Sequence, residues 1–378
     1  MAPLSSESVA LAEAAGRTLA EDVTARGQAP RTAVSTMDGY AVVDAATAPG
    51  AWFEVIGESR AGASWSGTVQ PGQAVRIFTG AAVPPGATRV IIQEHAQRDD
   101  AGVRFTPGYG PASYIRGPGS DFAAGAVLVP AGTRLTARTL VAAAAADRAE
   151  LMVARRPRVA VLATGDELAA PGEAHRRLEA IPETIGLAVA AMARDAGAEI
   201  VARELCGDDP ARLAAIAGDL LAAADLVVVS GGASVGERDF ATANFAAHGL
   251  ELGFEKVAIK PGKPVWFGRC GKTLVLGLPG NPTSALVTAA LFLRPLLARL
   301  QGGDARPAWR TLPLAAPLAA TDDRETFVRA RWDDAGLAPL GNQDSGAQSP
   351  LAEADWLIRC PAGQAALAAG ATVRALTF

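Results

Sequence analysis

The sequence predicts a multi-domain protein of the α/β-plus-β class, with a central three-layer α/β domain, a β-rich insertion-like domain before it and a small β-barrel at its C-terminus. Its 378 residues suffice for roughly two to three domains. Strand and helix patterns alternate through the middle of the chain, whereas short β-rich runs between Gly/Pro clusters lie on either side. Hydrophobic residues make up 49% of the chain, which is typical of a folded globular protein.

The composition excludes several functional classes. No apolar run approaches the length of about 18 residues that spans a bilayer, and no basic and apolar leader is visible. The net charge of −4 argues against nucleic-acid binding. The three cysteines are widely spaced, which excludes a disulfide scaffold and a thiolate zinc cluster. We expect a cytoplasmic protein without a membrane or nucleic-acid partner, whose metal, if it uses one, is a hard cation such as Mg²⁺.

The first part of the chain divides into a linking segment and a β-rich domain. Residues 1–27 and 124–152 form the linking helical and β segment, with an amphipathic helix predicted over 4–22 and a second helix over 135–149. Residues 28–123 form the β-rich domain. Its predicted strands cover 51–58, 74–78, 88–93 and 103–106.

Residues 153–304 have the βαβ rhythm of the α/β domain, and residues 305–378 form the C-terminal β-barrel. Asp209 and Pro210 are suited to begin a helix, since an acidic cap and an early proline favour helix N-termini. The other predicted helices cover 184–197 and 283–300, and the predicted strands cover 159–163, 200–205, 226–229, 274–276, 327–332, 356–360 and 372–378.

Polar and glycine-rich loops follow the predicted parallel strands, at the edge where ligands bind in open α/β sheets. Glycines let backbone N–H groups approach an anion closely, and lysines beside carboxylates suit a magnesium-bridged anion or proton transfer. Ordinary turn chemistry is the alternative for each loop taken alone. The loops cover 164–167, 207–209, 230–236 (leading to Asp239), 256–263 and 279–282.

Lysine usage is unusual. The chain has 35 basic residues, of which 31 are arginine and four are lysine. Lys256, Lys260 and Lys263 lie within eight residues of one another. Lysine is a compact and flexible point charge, so its retention here indicates an anion site. Chance clustering on a solvated loop is the alternative.

Three familiar catalytic signatures fail in this chain. Residues 232–236 match the G-x-S-x-G pattern of a hydrolase, but the only later histidine, His248, follows the serine by 14 residues. Residues 271–273 resemble the end of a P-loop, but Trp266 stands at its first glycine and a strand is predicted to follow. No G-x-G-x-x-G opens a helix with an acidic residue at the required distance.

A second cluster of polar motifs lies in the β-rich domain, at residues 35–41, 76–81 and 115–121. Asp38 precedes a glycine and by itself predicts a turn. Arg116 and Asp121 flank a Gly-Pro-Gly run and could form a salt-bridged loop.

Together these motifs resemble the molybdopterin molybdenumtransferase family, which is related to the E domain of gephyrin. The resemblance implies a four-domain chain and an elongated homodimer in which the α/β domain of one subunit faces the β-rich domain of its partner. It implies magnesium-dependent insertion of molybdate into adenylylated molybdopterin, with release of AMP and molybdenum cofactor. The matching segments appear in family order at 35–41, 76–81, 84–86, 116–121, 164–168, 230–239, 260–264 and 277–284.

The resemblance also implies roles for individual residues. Asp208 and Asp239 are expected to hold Mg²⁺. The expected catalytic residues are Asp38, Thr79, Arg116, Asp121, Glu167, Asp208, Asp239, Lys256 and Lys260. The residues expected to bind the pterin substrate or molybdate are Gly165, Asp166, Ser230, Gly231, Gly232, Ser234, Gly236, Lys263, Pro279, Asn281, Pro282, Ser284, Arg324, Arg329 and Ser349. Molybdopterin adenylyltransferase and acceptor molybdoenzymes are the candidate protein partners.

Two segments depart from the family pattern. Residues 183–185 read Glu-Thr-Ile where the family usually has an aspartate, a serine or threonine, and an asparagine, so a polar side chain becomes apolar. The serine-rich C-terminal segment is altered at residues 346–350. These departures motivate a second hypothesis, a degenerate paralogue that binds molybdopterin or acts as a scaffold without turnover.

Overall fold

The computed structural model describes residues 2–231 and 240–378. The predicted site residues Gly232, Ser234, Gly236 and Asp239 lie outside the described residues. In chain order, the first part contains strands β1 (Ser6–Ala10), β2 (Val23–Thr24), β3 (Val34–Ser35), β4 (Gly39–Val42), β5 (Trp52–Ser59), β6 (Gln73–Ile77), β7 (Arg89–Ile92), β8 (Ala96–Arg98), β9 (Val103–Phe105), β10 (Ile115–Arg116), β11 (Val127–Val129) and β12 (Glu150–Ala154), and helix α1 (Ala137–Ala145).

The N-terminal segment is a strand, so the predicted helix over residues 4–22 is wrong. Strand β1 pairs antiparallel with β12, from Ser6 opposite Ala154 to Ala10 opposite Glu150, and a short 3₁₀ turn follows at Leu11–Glu13. The hydrogen bonds of this pairing come from a segment far away in the sequence and override the local helical pattern. The second predicted helix of the linking segment is present as α1, which Thr136 caps by accepting from the Thr139 N–H.

The β-rich domain contains a six-stranded sheet in the order β7-β4-β6-β5-β9-β8. All four residues of β4 are buried between its antiparallel neighbours β6 and β7. Gly39 is required there, because a Cβ atom at this position would lie 2.0 Å from the Ile91 carbonyl oxygen. Asp38, in the motif at residues 35–41, therefore lies immediately before this buried strand.

The α/β domain is built from the predicted helices and strands and from five strands outside the predicted ranges, β14, β15, β18, β19 and β20. Its elements are β13 (Arg158–Thr164), β14 (Leu168–Ala169), β15 (Ile181–Pro182), α2 (Ile185–Asp195), β16 (Glu199–Cys206), α3 (Pro210–Ala223), β17 (Leu226–Ser230), α4 (Phe240–Ala246), β18 (Leu250–Phe254), β19 (Ile259–Lys260), β20 (Trp266–Cys270), β21 (Thr273–Leu278), α5 (Pro282–Thr288), a π-helical turn (Ala289–Leu293) and α6 (Arg294–Leu300).

The sheet of this domain directs five loops to one edge. Its strand order is β16-β13-β17-β21-β20-β18, and the first four strands are parallel. Strand β20 is antiparallel to both β21 and β18, so β18 runs in the same direction as β21. The loops that follow β13, β16, β17, β18 and β21 therefore leave the same edge, as the sequence predicts.

Apolar clusters cover the two faces of this sheet. Helices α2, α5 and α6 pack with Val159 and Val161 of β13, while α3 packs with Ala160 and Leu162 of the same strand. This alternation is expected of a strand that is buried on both faces. The helical segment Pro282–Leu300 is long and apolar enough to cross a membrane, but its apolar residues pack inside this core.

The C-terminal part is a sheet that also receives the lysine loop. Strand β19 pairs with β23, which places Lys260 opposite Thr326. The sheet order is β19-β23-β25-β26-β22, and β24 pairs with β23. The strands are β22 (Arg310–Pro313), β23 (Glu325–Asp333), β24 (Gly336–Pro339), β25 (Trp356–Cys360) and β26 (Thr372–Thr377).

An ion pair joins the connection between β12 and β13 to the start of β17, at the edge of the α/β sheet opposite these loops. Both Arg155 guanidinium NH₂ groups donate to the Asp225 carboxylate at 2.9 Å, and the Arg158 N–H donates to it at 2.8 Å. Burial by itself raises the pKa of Asp225, but the bonds from Arg155 and Arg158 outweigh burial and lower this pKa overall. The carboxylate therefore stabilises the fold in its ionised form.

We expect Asp225→Asn to lower the free energy of unfolding by about 2 kcal/mol at neutral pH, as for a charged hydrogen-bond partner. Because the folded pKa is depressed, the wild-type advantage is complete above the unfolded pKa of about 3.9 and shrinks as pH falls through the folded value. Urea unfolding at a series of pH values measures this. Asp304→Asn is the control, since this exposed carboxylate pairs with Arg306 and its removal should leave the unfolding midpoint unchanged. A pH-independent difference for Asp225→Asn would contradict the assignment.

Candidate functional site

A cavity of about 890 Å³ lies at the loop edge of the α/β sheet, between this sheet and the C-terminal sheet. Its described lining brings together residues from all five predicted loops and from the last domain. The predicted site residues that line it are Gly165, Glu167, Asp208, Gly231, Lys256, Lys260, Lys263, Pro279, Asn281, Ser284 and Arg324. The loop after β17 contributes Gly231, the last residue described before Phe240.

Glycine allows the loops after β13 and β17 to touch. Gly231 has φ +92°, and a Cβ atom there would lie 2.2 Å from the Thr164 carbonyl oxygen. The loop after β16 is joined by a hydrogen bond, because the Asp208 N–H donates to the Asp166 carboxylate at 2.9 Å. Asp166 therefore supports the cavity wall from behind, while Glu167 and Asp208 line the cavity.

The lysine loop is fixed by its glycine and its backbone. Gly262 has φ +108°, and a Cβ atom there would lie 2.3 Å from the Thr288 methyl group of α5. The Val257 N–H donates to the Lys263 carbonyl oxygen at 3.1 Å across the loop. The Lys260 ammonium lies 3.5 Å from the exposed carboxylate of Asp322. The three lysine side chains are exposed, so their ammonium groups are accessible to a ligand.

The cavity carries charges of both signs. Its described cations are Lys256, Lys260, Lys263 and Arg324, and its described carboxylates are Glu167, Asp208 and Asp344. Four cations against three carboxylates favour an anionic ligand that is accompanied by a cation. Ser284, at the beginning of the helical segment that starts at Pro282, adds a hydroxyl group.

A C-terminal loop that the sequence did not predict also lines the cavity, through Gln343, Asp344 and Ser345. The Asn281 side-chain amide donates to the Ser345 hydroxyl at 3.1 Å, which ties this loop to the start of α5. The available signal was the polar, turn-forming run at residues 341–346. The predicted Ser349 begins a 3₁₀ helix (Ser349–Glu353) and is outside the described lining.

Arg329 is a buried clamp behind the cavity wall, whereas Arg324 lines the cavity. The Arg329 side chain is 1% exposed and donates to the Thr283 hydroxyl and to the carbonyl oxygens of Asn342 and Asp344, at 3.0 to 3.2 Å. Burial lowers the pKa of Arg329. Its position supports the loop that carries Ser345. Two other predicted ligands also lie behind the lining: Ser230 is buried at the end of β17, and Pro282 begins α5.

The motifs of the β-rich domain form a separate cluster. Thr79 donates to the Asp38 carboxylate through its N–H at 2.7 Å and its hydroxyl at 2.8 Å. These two bonds, backbone first, lower the pKa of Asp38. Arg116 lies at the end of β10 and Asp121 follows in the next loop; the described residues include no ion pair between them. The described cavity lining begins at Thr164, so one chain does not bring the two clusters together.

The residues that depart from the family pattern have structural roles. Glu183 is 5% exposed, and its carboxylate accepts the Gly186 N–H at 2.5 Å at the start of α2. Ile185 packs in the core cluster on that face of the sheet. The helix is therefore capped by a carboxylate, which complements the positive end of its dipole.

Comparison with known proteins identifies relatives along the whole chain. Three family models match in order: the MoeA N-terminal region (domain I and II) over residues 1–146, a probable molybdopterin binding domain over 160–299 and the MoeA C-terminal region (domain IV) over 311–378. The chain is 37% identical over 377 residues to molybdopterin molybdenumtransferase 2 of Mycobacterium tuberculosis, covering 96% of this chain and 92% of that protein. It is 33% identical over 395 residues to the molybdopterin molybdenumtransferase of Nostoc sp., covering 98% and 88%.

Solved structures agree with this similarity. A molybdopterin biosynthesis MoeA protein from Pyrococcus horikoshii is 29% identical and superimposes with a TM-score of 0.79, covering 100% of this chain and 95% of that chain. Another structure of a molybdopterin biosynthesis MoeA protein, from Pyrococcus horikoshii OT3, is 24% identical with a TM-score of 0.85, covers 100% of this chain and 96% of that chain, and shows the same fold.

The two arginines offer a direct test of their different positions. We expect Arg329→Met to lower the free energy of unfolding by about 2–4 kcal/mol, because it leaves buried acceptors unpaired. Arg324→Met should change stability by less than about 0.5 kcal/mol, because its side chain borders an open cavity. Urea unfolding of both variants measures the difference. Equal stability of the two would show that the Arg329 contacts contribute little.

Proposed function

The chain belongs to the molybdopterin molybdenumtransferase family of enzymes, which act in molybdenum-cofactor biosynthesis, and from this premise we propose that it inserts molybdate into adenylylated molybdopterin in a magnesium-dependent reaction that releases AMP. One observation supports this function above the others. The cavity combines a lysine cluster with the carboxylates of Glu167 and Asp208 at the carboxyl edge of parallel strands. Such an edge is the usual ligand site of an open α/β sheet.

In this proposal the lysine loop holds the anions. Lys260 and Lys263 flank the Pro261-Gly262 turn and bind molybdate with Ser284 and Arg324, while Lys256 faces the phosphates of the substrate. Release of AMP breaks a phosphate linkage and increases negative charge on phosphate oxygens. Fixed cations that face this charge lower the barrier, because they need no reorganisation during the reaction.

The carboxylates suit a hard cation. Magnesium commonly takes one or two protein carboxylates and completes its shell with water and substrate phosphates, so Asp208 fits this role, with Asp239 as the second proposed ligand. Bound Mg²⁺ would neutralise charge on the phosphates. Within residues 2–231 and 240–378, no group of three or more His, Cys, Asp or Glu side chains could hold a metal, which agrees with a site that needs substrate oxygens. Glu167 is the proposed proton carrier beside it.

We further propose that the working enzyme is a homodimer whose cleft combines the cavity of one subunit with the Asp38 cluster of the other. The separation of the two clusters within one chain supports this arrangement. The Asp38 oxygen Oδ2 accepts no hydrogen bond from the described residues and is suited to contact substrate or its cation. Arg116 and Asp121, both exposed, complete that side of the cleft.

The family resemblance also supports proposals about the location, the protein partners and the domain limits of the chain. These are a cytoplasmic location, contacts with molybdopterin adenylyltransferase and acceptor molybdoenzymes, and domain limits at 1–27 with 124–152, 28–123, 153–304 and 305–378. A three-layer α/β domain and a closed C-terminal barrel belong to the same proposal. An isolated bridge between Leu314 and Leu337 supports closure of the last sheet.

We expect Lys260→Arg and Lys263→Arg each to reduce turnover roughly tenfold or more, about 1.4 kcal/mol of transition-state stabilisation. The planar guanidinium is larger than the ammonium and should fit a compact oxyanion at short range badly. Turnover is measured as AMP release, and as molybdoenzyme activity restored in a host that lacks its own molybdenumtransferase.

Lys272→Arg is the matched control, since Lys272 precedes β21 and so lies at the opposite end of that strand from the cavity. Net charge is the same in all three variants. Equal turnover in the three would remove the lysine cluster from the anion site. Failure of the wild-type chain to restore molybdoenzyme activity would contradict the proposed function itself.

A shared cleft predicts complementation between inactive chains. Mixing Asp38→Ala with Glu167→Ala under conditions of subunit exchange should restore about one quarter of wild-type turnover, because half of the dimers are mixed and each has one intact cleft. AMP release by the mixture is compared with that of each parent. A mixture as inactive as its parents, with exchange verified by mass spectrometry, would show that each cleft is built within one chain.

A further inference from the structure

We propose that Arg76 is a positioning residue for Asp38, which holds the backbone on both sides of that carboxylate without touching the substrate. The inference rests on the role proposed above for Asp38. Arg76 lies on β6, directly opposite Tyr40 of the neighbouring β4, so its side chain reaches the beginning of β4, where Asp38 lies.

Two hydrogen bonds link Arg76 to the backbone around Asp38. One guanidinium NH₂ group donates to the Gly39 carbonyl oxygen at 3.1 Å, and the other donates to the Gln93 side-chain oxygen at 2.7 Å. The Gln93 N–H in turn donates to the Asp38 carbonyl oxygen at 3.0 Å. The planar fork of arginine thus supports two consecutive peptide groups, those that follow Asp38 and Gly39.

Aromatic rings hold the Arg76 guanidinium in place. Its central carbon lies 5.1 Å from the centre of the Tyr40 ring and 4.8 Å from the centre of the Phe78 ring. Both distances fall in the range of cation–π attraction, which restricts the long side chain to one position. Phe78 also immediately precedes Thr79, the residue that donates both hydrogen bonds to the Asp38 carboxylate.

Arg76 therefore connects both parts of the Asp38 site. Through Gly39 and Gln93 it holds the backbone that carries the carboxylate, and through Phe78 it packs against the residue before its hydrogen-bond donor. The Arg76 charge also lowers the pKa of Asp38, as a smaller contribution than the two bonds from Thr79. Loss of Arg76 should let the carboxylate move relative to its partner across the cleft.

Arg60 provides a matched control, because its guanidinium also packs over the Phe78 ring. Its guanidinium carbon lies 5.7 Å from the centre of the Phe78 ring, and its charge pairs with Glu58. Within the described part of the chain, Arg60 has no side-chain hydrogen bond to Asp38, Gly39 or Gln93. Arg60 and Arg76 thus share the cation–π contact, but only Arg76 contacts the backbone that carries Asp38.

The test compares Arg76→Met with Arg60→Met in the full-length enzyme. We expect Arg76→Met to reduce kcat about tenfold or more with KM changed by less than about threefold, as for an interaction expressed in the transition state. Amide hydrogen exchange of residues 35–42 should become faster in Arg76→Met and stay unchanged in Arg60→Met. Arg60→Met should keep kcat within about twofold of wild type.

Equal kcat losses in the two variants, or an Arg76→Met loss without faster exchange at residues 35–42, would overturn the proposal. If Arg76→Met fails to fold, Arg76→Lys is measured instead, with an expected kcat loss of about threefold or more, because one ammonium cannot bridge both acceptors. Wild-type kcat in Arg76→Lys would also overturn it. The Asp38→Asn variant distinguishes failure of the Asp38 proposal from failure of the Arg76 proposal. Full turnover in Asp38→Asn would refute both. An inactive Asp38→Asn together with a fully active Arg76→Met would refute only the positioning role of Arg76.

Discussion

The site depends on the close contact between the loops that follow β13 and β17. Gly231 touches the Thr164 carbonyl, and any side chain at position 231 would force the two loops apart. This contact, with the bond from the Asp208 N–H to Asp166, brings Glu167 and Asp208 to one wall of the cavity. Because parallel strands end at a common edge, a local backbone constraint of this kind is sufficient to gather residues that are distant in the sequence.

The opposite wall is assembled by a different type of interaction. Strand β19 belongs to the lysine loop but pairs with β23 of the C-terminal sheet, and the buried Arg329 joins the loop that carries Ser345 to the start of α5. Phe327 and Leu357 of the last sheet also belong to the core cluster of the α/β domain. The cavity is thus formed between two sheets that share apolar packing, so that the lysines and the carboxylates line one space.

The two clusters of polar residues lie apart within one chain, and each has its own charged groups and supporting contacts. The cavity has its own cations and carboxylates, whereas the Asp38 cluster has one carboxylate held by Thr79 and supported by Arg76. Each cluster is held by contacts of its own and not by the other. In the proposed homodimer, the docking of two such preformed surfaces would cost little conformational entropy.

The sequence by itself determined helices α2 and α3, the helical segment Pro282–Leu300 and the four parallel strands of the α/β sheet. It also determined the common edge of the loops, the lysine cluster and the family, because period, turn residues and motif order are local properties. It could not determine the outcomes that depend on distant partners. Residues 4–22 have a helical pattern, but β1 forms because β12 is available to pair with it. Arg324 and Arg329 look alike in sequence, but only Arg329 is buried and acts as a clamp. Ser345 and Ser349 also look alike, but only Ser345 lies at the cavity. Burial and strand pairing arise from contacts across the whole chain, so the tertiary structure alone decided them.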